Sequence, residues 1–197
     1  MTLPARPLKL PIDTDRLSLR RWTNDDHAAL LDMTSRPDAV RYLPFPPRDA
    51  AATTKALEQR IGWGVPDFDA DGQVLALAVE HRDTYELVGD VVLMFRTLEH
   101  RDAEIGFIFH PDHQGRGYAT EACRQVLGIA FEHYGLHRVF ARLDARNDAS
   151  ARLLARLGMR QEAHLVANEW LKGEWTDELV FAILDREYAV LSSSPPT

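Results

Sequence analysis

The sequence predicts an α/β protein: one mixed, mostly antiparallel, twisted sheet of about six to seven strands with helices on both faces. Three observations carry that expectation. Short apolar runs of strand length recur at residues 17–22, 74–80, 87–95, 105–109, 138–143, 160–166 and 179–184. Between them lie longer stretches whose apolar residues return every three or four positions, the mark of amphipathic helices. The order is strand, helices, hairpin strands, strand, helix, strand, helix, two strands. Runs of antiparallel strands with helices interspersed imply a sheet covered on both sides.

Each element has its own signal. Residues 1–12, punctuated by Pro4, Pro7 and Pro11, read as a flexible arm. Leu17 to Trp22 alternates as a first strand. Thr23, Asn24, Asp25 and Asp26 offer capping oxygens and open a helix carrying Ala28, Leu30, Leu31 and Met33. Residues 37–47 hold four prolines beside Tyr42 and Phe45, so irregular backbone is expected there. A helix fits residues 48–63, and residues 64–72 form a turn-rich loop. Residues 74–80 and 87–95 flank the polar stretch 81–86 as a hairpin. The run Ile105-Gly-Phe-Ile-Phe109 reads as a buried strand that Pro111 stops, because proline lacks a ladder N–H. Ala119, Ala122, Cys123, Val126, Leu127, Ala130, Phe131 and Tyr134 then form an unbroken helical stripe. A strand at 138–143, a helix at 149–157 stopped by Gly158, and two last strands complete the domain, placed at residues 13–188. Residues 189–197 read as a disordered tail by composition.

Composition narrows the function classes. A chain of 197 residues can bury one sizeable core. The net charge of −7, with no block of Lys or Arg, argues against a nucleic-acid partner. No apolar run approaches the roughly 18–20 residues that span a bilayer, and the N-terminus lacks a signal-peptide core. No membrane partner and a cytoplasmic location are therefore expected. Cys123 is the single cysteine and lies on the apolar helical stripe, so it reads as core. With one thiol and no ligand spacing among the eight histidines, no metal is expected.

The sharpest chemical signal is the strand, loop and helix start around Gln114-Gly-Arg-Gly-Tyr-Ala-Thr120. Free N–H groups and the positive end of a helix dipole bind anions, and glycines let a phosphate approach the backbone. The loop lacks the Gly-Lys-Ser/Thr ending of a P-loop and the three glycines of a dinucleotide fingerprint. It does fit Gln/Arg-x-x-Gly-x-Gly/Ala. In this it resembles the pyrophosphate loop of the GNAT family of N-acetyltransferases, which bind acetyl-CoA. Downstream, Asn147-Asp-Ala-Ser150 followed by a helix ending at Gly158-Met159 resembles the family's next segment. Within the family, Ser150, the segment from Glu169 to Glu178, and the opening from Thr14 to Trp22 resemble the RimJ/RimL branch.

The resemblance implies a GNAT fold whose signature strand splays from its neighbour. Backbone groups of Phe107, Ile108 and Phe109 would then hold the pantetheine arm of acetyl-CoA. Gln114, Gly115, Arg116, Gly117, Tyr118, Ala119 and Thr120 would hold the pyrophosphate, with Asn147 and Ser150 beside the thiol. Many members carry an acidic Tyr seven residues after the Asn; here that position is Leu154, which cannot donate a proton. The resemblance therefore assigns the sulfur partner to Ser150. For the base it offers Glu169 first and Glu104, just before the signature strand, second. Tyr42, Phe45, Trp63, Trp170 and Trp175 are candidates to line the acceptor site, although large aromatics serve equally well as core. The implied activity is direct acetyl transfer from acetyl-CoA to a primary amine, on a small molecule or a protein N-terminus, in a ternary complex. A homodimer is compatible with the resemblance. The alternative is a non-catalytic acetyl-CoA-binding sensor or interaction protein.

Overall fold

The computed structural model of the chain describes residues 7–193. Eight strands form one sheet: β1 (Ile12–Asp13), β2 (Leu17–Arg20), β3 (Val74–His81), β4 (Leu87–Thr97), β5 (Asp102–Phe109), β6 (Arg138–Asp144), β7 (Arg160–Leu171) and β8 (Glu174–Leu184). Their order across the sheet is β1-β2-β3-β4-β5-β6-β8-β7. Every neighbouring pair is antiparallel except β5 and β6, which run parallel. The mixed, mostly antiparallel sheet agrees with the expectation from the sequence.

Five helices accompany the sheet: α1 (His27–Ser35), α2 (Ala50–Trp63), α3 (Tyr118–Gly128), α4 (Asp148–Arg156) and α5 (Asp185–Ser193). A π-helical turn, Ile129–His133, continues α3. Alternation along the strands separates two cores. Ala103 and Ile105 of β5 join Val91, Leu93 and Val139 against Ala122, Cys123, Val126 and Leu127 of α3. Ile108 faces the other way, with Ala76 and Ala78, against Trp22, Leu30, Met33 and Leu57. Cys123 is fully buried, and burial pushes its thiol pKa up, so it is packing rather than a nucleophile.

Both ends differ from the sequence reading. Residues 1–6 and 194–197 lie outside the described residues. Leu8, Leu10 and Ile12, assigned above to a flexible arm, pack against the larger core, and Ile12–Asp13 pairs with β2. Their spacing of two residues is a strand signal that the surrounding prolines hide. At the other end, α5 carries helix through residue 193, past the boundary at 188. Tyr188 anchors it by stacking on Phe131, with ring centroids 5.0 Å apart, and by donating to Glu132 at 2.8 Å.

One buried charge pair fastens α2 to the sheet. Arg60 donates from Nε and Nη2 to Oδ2 of Asp90 on β4, at 2.9 and 2.5 Å, with both residues buried. A buried pair adds little over an apolar replacement, but breaking one half strands the other charge. Asp90→Ala is therefore expected to lower the unfolding free energy by about 3–5 kcal/mol. Urea denaturation measures it, and a shift below about 1 kcal/mol would show that α2 is held by its apolar face alone.

Candidate active site

The parallel ladder between β5 and β6 is short. It covers Asp102 with Arg138, Ala103 with Val139 and Glu104 with Phe140, and then stops. Beyond it, residues 105–109 keep ladder partners on the β4 side only. Backbone N–H and C=O groups on the free side must find other partners, since a buried orphan is costly. A cavity of about 600 Å³ opens in this gap. Phe107, Ile108 and Phe109 form one wall, and Tyr42 and Leu43, from the segment after α1, form another.

The far end of the cavity is the glycine loop. Pro111–His113 makes one 3₁₀ turn, fixed by the Asp112 N–H donating to Nδ1 of His110 at 3.2 Å. Gly115 and Gly117 then adopt φ of +75° and +83°, a region that favours glycine. Gly117 is the N-cap of α3 and no side chain caps it. The first N–H groups of a helix have no partner within it, so Tyr118, Ala119 and Thr120 present theirs where they line the cavity. Gln114, Gly115 and Gly117 also line it, whereas the Arg116 side chain is not part of the wall. His113 lines it too; burial holds its pKa below the usual histidine range, so the ring is neutral at pH 7.

The start of α4 closes the third side. Oδ1 of Asn147 accepts the Ser150 N–H at 3.1 Å, so Asn147 is the helix cap. Ser150 lines the cavity, and its hydroxyl has no hydrogen-bond partner among the described residues. Leu154, the departure from the family pattern, is buried in the core and takes no part. Arg152 and Arg156 line the cavity and were missed by the sequence reading. Their signal was present: an i, i+4 pair on the helix that Asn147 opens shares one face.

These features fit acetyl-CoA. An unpaired strand edge suits the amides of a pantetheine arm, and an uncapped helix start suits a pyrophosphate. Two arginines suit the remaining phosphate charge.

The two glutamates that the sequence set in competition are brought together. Glu104 sits in the last ladder pair before β5 and β6 part. Its Oε1 accepts from Arg142 Nε at 3.1 Å. Nη1 of Arg142 lies 3.7 Å from Glu169 and 3.4 Å from Glu178. Glu104 and Glu178 are buried, while Glu169 is half exposed. Among the described residues Glu104 Oε2 makes no hydrogen bond, and Arg96 lies 3.7 Å from it. Glu178 Oε2 accepts from Asn168 at 2.7 Å. Burial lifts the Glu178 carboxyl above its usual range; Arg142 opposes this, and Glu169 and Glu104 add to it. Glu178 as a titrating group escaped sequence reasoning, because only the β7–β8 register puts it on the face of Glu169. Two further acids of the β7–β8 hairpin are occupied: Asp177 with His164 and the Ala167 N–H, and Glu174 with Arg146.

The five aromatic candidates divide. Tyr42 lines the cavity. Phe45 and Trp63 pack against the second core, Phe45 with the Arg48 guanidinium 3.8 Å from its ring centre. Trp170 and Trp175 are not part of the cavity wall: they are 62 and 63% exposed and face each other edge-on at 5.4 Å. They are a direct cross-strand pair, so both project from one face of the hairpin. The adjacent pair, Glu169 with Thr176, projects from the opposite face, toward Arg142.

Among the described residues no helix is long and apolar enough to cross a membrane, and no group of three potential metal ligands occurs.

Comparison with known proteins agrees with this geometry. The family described as the acetyltransferase (GNAT) domain matches residues 16–160. The uncharacterised N-acetyltransferase YnaD of Bacillus subtilis is 32% identical, over 90% of this chain and 98% of that protein. A GNAT-family acetyltransferase structure from Bacillus anthracis superposes with a TM-score of 0.80 at 29% identity, covering 90% of this chain and 99% of that one. A Vibrio cholerae spermidine N-acetyltransferase, solved with CoA and spermine, shares the fold: TM-score 0.75 at 23% identity, over 89% of this chain and 99% of that one. The chain belongs to the GNAT acetyltransferase family and is an acyl-CoA-dependent acetyltransferase that uses acetyl-CoA.

Proposed function

We propose that the chain is a RimJ/RimL-like N-acetyltransferase that carries acetyl directly to a primary amine, with both substrates bound together. The observation that carries this reading is the gap between β5 and β6, with the uncapped start of α3 at one end and the Arg142 carboxylate cluster at the point where the strands part. Ser150, three residues after the capping Asn147 and part of the cavity wall, supports the branch.

The division of labour follows from the chemistry. When bound, acetyl-CoA supplies the activated thioester. Backbone N–H groups of residues 107–109 hold the acyl arm and meet charge that develops on its carbonyl oxygen. Ser150 would donate a hydrogen bond from its hydroxyl to the leaving sulfur and keep its own proton, while the thiolate leaves as CoA and takes its proton from solvent. Arg152 and Arg156, with the α3 N-terminus, hold phosphate. Tyr42 borders the acceptor, which must be neutral when it attacks. Its proton passes to the carboxylate cluster, where Glu178, buried and lifted in pKa, is better matched to the task than half-exposed Glu169. Glu104 and Arg142 set its field. No covalent acyl-enzyme is needed, and the cavity presents no activated nucleophile.

Two measurements test this. Arg152→Ala and Arg156→Ala are each expected to weaken acetyl-CoA binding about tenfold, as loss of a charge-assisted hydrogen bond does. Calorimetry reads it; unchanged affinity in the double variant would move the phosphates elsewhere. The second is a pH–rate profile with a panel of primary amines. A base must be ionised, so the rate climbs as pH rises through the lifted Glu178 pKa, above the ordinary glutamate range. Glu178→Gln is expected to cut kcat by roughly a hundred- to ten-thousandfold and to erase that acidic limb. A Glu178→Gln enzyme with wild-type rate and limb returns the role to Glu169 or Glu104. Binding without turnover of any amine would favour a sensor.

A further inference from the structure

The turn between β1 and β2 lies far from the glycine loop in sequence but is fastened to it. Thr14 Oγ1 donates to Oε1 of Glu121, in the first turn of α3, at 2.6 Å. The Arg16 N–H donates to the same oxygen at 2.9 Å. Arg16 Nε and Nη2 meet Oε2 of Glu121 at 2.8 and 2.7 Å. Nη1 of Arg16 donates to the backbone carbonyl of Arg116 inside the loop at 2.9 Å. The guanidinium also lies 4.8 Å from the centre of the Tyr118 ring. The turn is itself held: the Thr14 N–H donates to the Leu17 carbonyl at 2.8 Å, and Arg82 donates to the Thr14 carbonyl at 2.8 Å.

From these contacts we infer that Arg16, with Thr14, is a positioning residue for acetyl-CoA: it braces the glycine loop and cancels the charge of Glu121 beside the phosphate site. The inference rests on the reading that this loop holds the phosphates of acetyl-CoA. Two physical arguments support it. Gly115 and Gly117 give the loop its shape but also give it many alternatives, so an external tether on the intervening residue 116 narrows them. A carboxylate in the first turn of a helix occupies the positive end of the dipole and repels a second anion there. Arg16 removes that repulsion and leaves the N–H groups to the phosphate. Although burial opposes it, the bonds from Thr14 and Arg16 hold the Glu121 carboxyl below its usual range, so it is charged at neutral pH and needs the cancellation. Arg16 turns its donors toward the protein, so it acts through the loop and not as a phosphate ligand.

Steady-state kinetics of Arg16→Ala decide the matter. The KM for acetyl-CoA is expected to rise roughly ten- to a hundredfold, while kcat and the acceptor KM stay within about twofold. Adding Glu121→Gln to Arg16→Ala is expected to recover part of the loss, because the bare charge goes. An unchanged acetyl-CoA KM overturns the proposal, and so does a loss shared equally by kcat and the acceptor KM, which would mark a merely structural residue. Should the alanine variant not fold, Arg16→Lys carries the test. It keeps the ion pair but loses the bond to the Arg116 carbonyl, and the acetyl-CoA KM should rise severalfold with kcat held; no rise overturns the brace. If Arg152→Ala/Arg156→Ala weakens acetyl-CoA while Arg16→Ala does not, only the brace falls. If neither does, the reading of the cavity falls with it.

Discussion

The parting of β5 and β6 is the constraint on which the site depends. A sheet gains stability by pairing every strand edge, and this one leaves residues 105–109 of a central strand half paired. The strand stays in place because its other edge is well held. Gly89 on β4 lies directly opposite Phe109, and the Phe109 ring covers the space a side chain at 89 would fill; a Cβ there would come within 2.5 Å of the ring. Glycine in a strand interior is usually a weakness. Here it lets the aromatic at the mouth of the gap lie back on the sheet, so β5 adheres to β4 while its far edge faces the cavity.

The same parting explains the charge pattern. Glu104, Arg142, Glu169 and Glu178 come from four strands and converge on the face opposite α3 and α4. Arg142 serves three carboxylates and Arg96 adds a longer contact to Glu104, so the three acids still outnumber the two arginines in a partly buried place. Excess negative charge favours protonation of whichever member is most buried, and such groups tend to be functional. On the function proposed above, cofactor grip and proton handling would both arise from this one parting of the strands.

What the sequence disclosed follows from what is local. The glycine loop, the stripe of α3 and the strands from Val74 to Phe109 each carry a periodicity or turn residue within a short window, and each occurs as expected. The pairing of residue 16 with residue 121, and of residue 142 with three carboxylates, depends on strand order and leaves no local trace. The direction in which the two tryptophans project was hidden for a related reason. Side-chain direction along β7 and β8 depends on register, and β7 carries irregularities between Gln161 and Ala163 and between Leu165 and Glu169. A one-residue shift exchanges the faces, as between Gln161 and Ala163, where β7 advances two residues against one on β8. The N-terminal strand was missed because proline is a louder signal than three leucine-like residues at spacing two.

The acceptor side is built differently from the cofactor side. Its wall after α1 is tied to the β7–β8 hairpin by Lys172, whose Nζ donates to the Val40 carbonyl at 2.5 Å and the Arg41 carbonyl at 3.1 Å. Lys172 and Gly173 form the two-residue turn with φ of +50° and +94°. Such a turn prefers Asn or Asp at its first position, and a lysine in the left-handed region is strained by about 1 kcal/mol or more. The two carbonyl bonds offset that strain, and burial lowers the Lys172 pKa without removing its donors. Lys172 thus gives the hairpin tip a polar tie to the segment 38–43, whereas the glycine loop is held by several contacts on a helix start. On the function proposed above, an acceptor wall built from these two loops could change by substitution while the glycine loop and the start of α3 stay as they are. One fold can thereby keep its acetyl donor while accepting different amines, which is why donor recognition was legible in a short motif and acceptor identity was not.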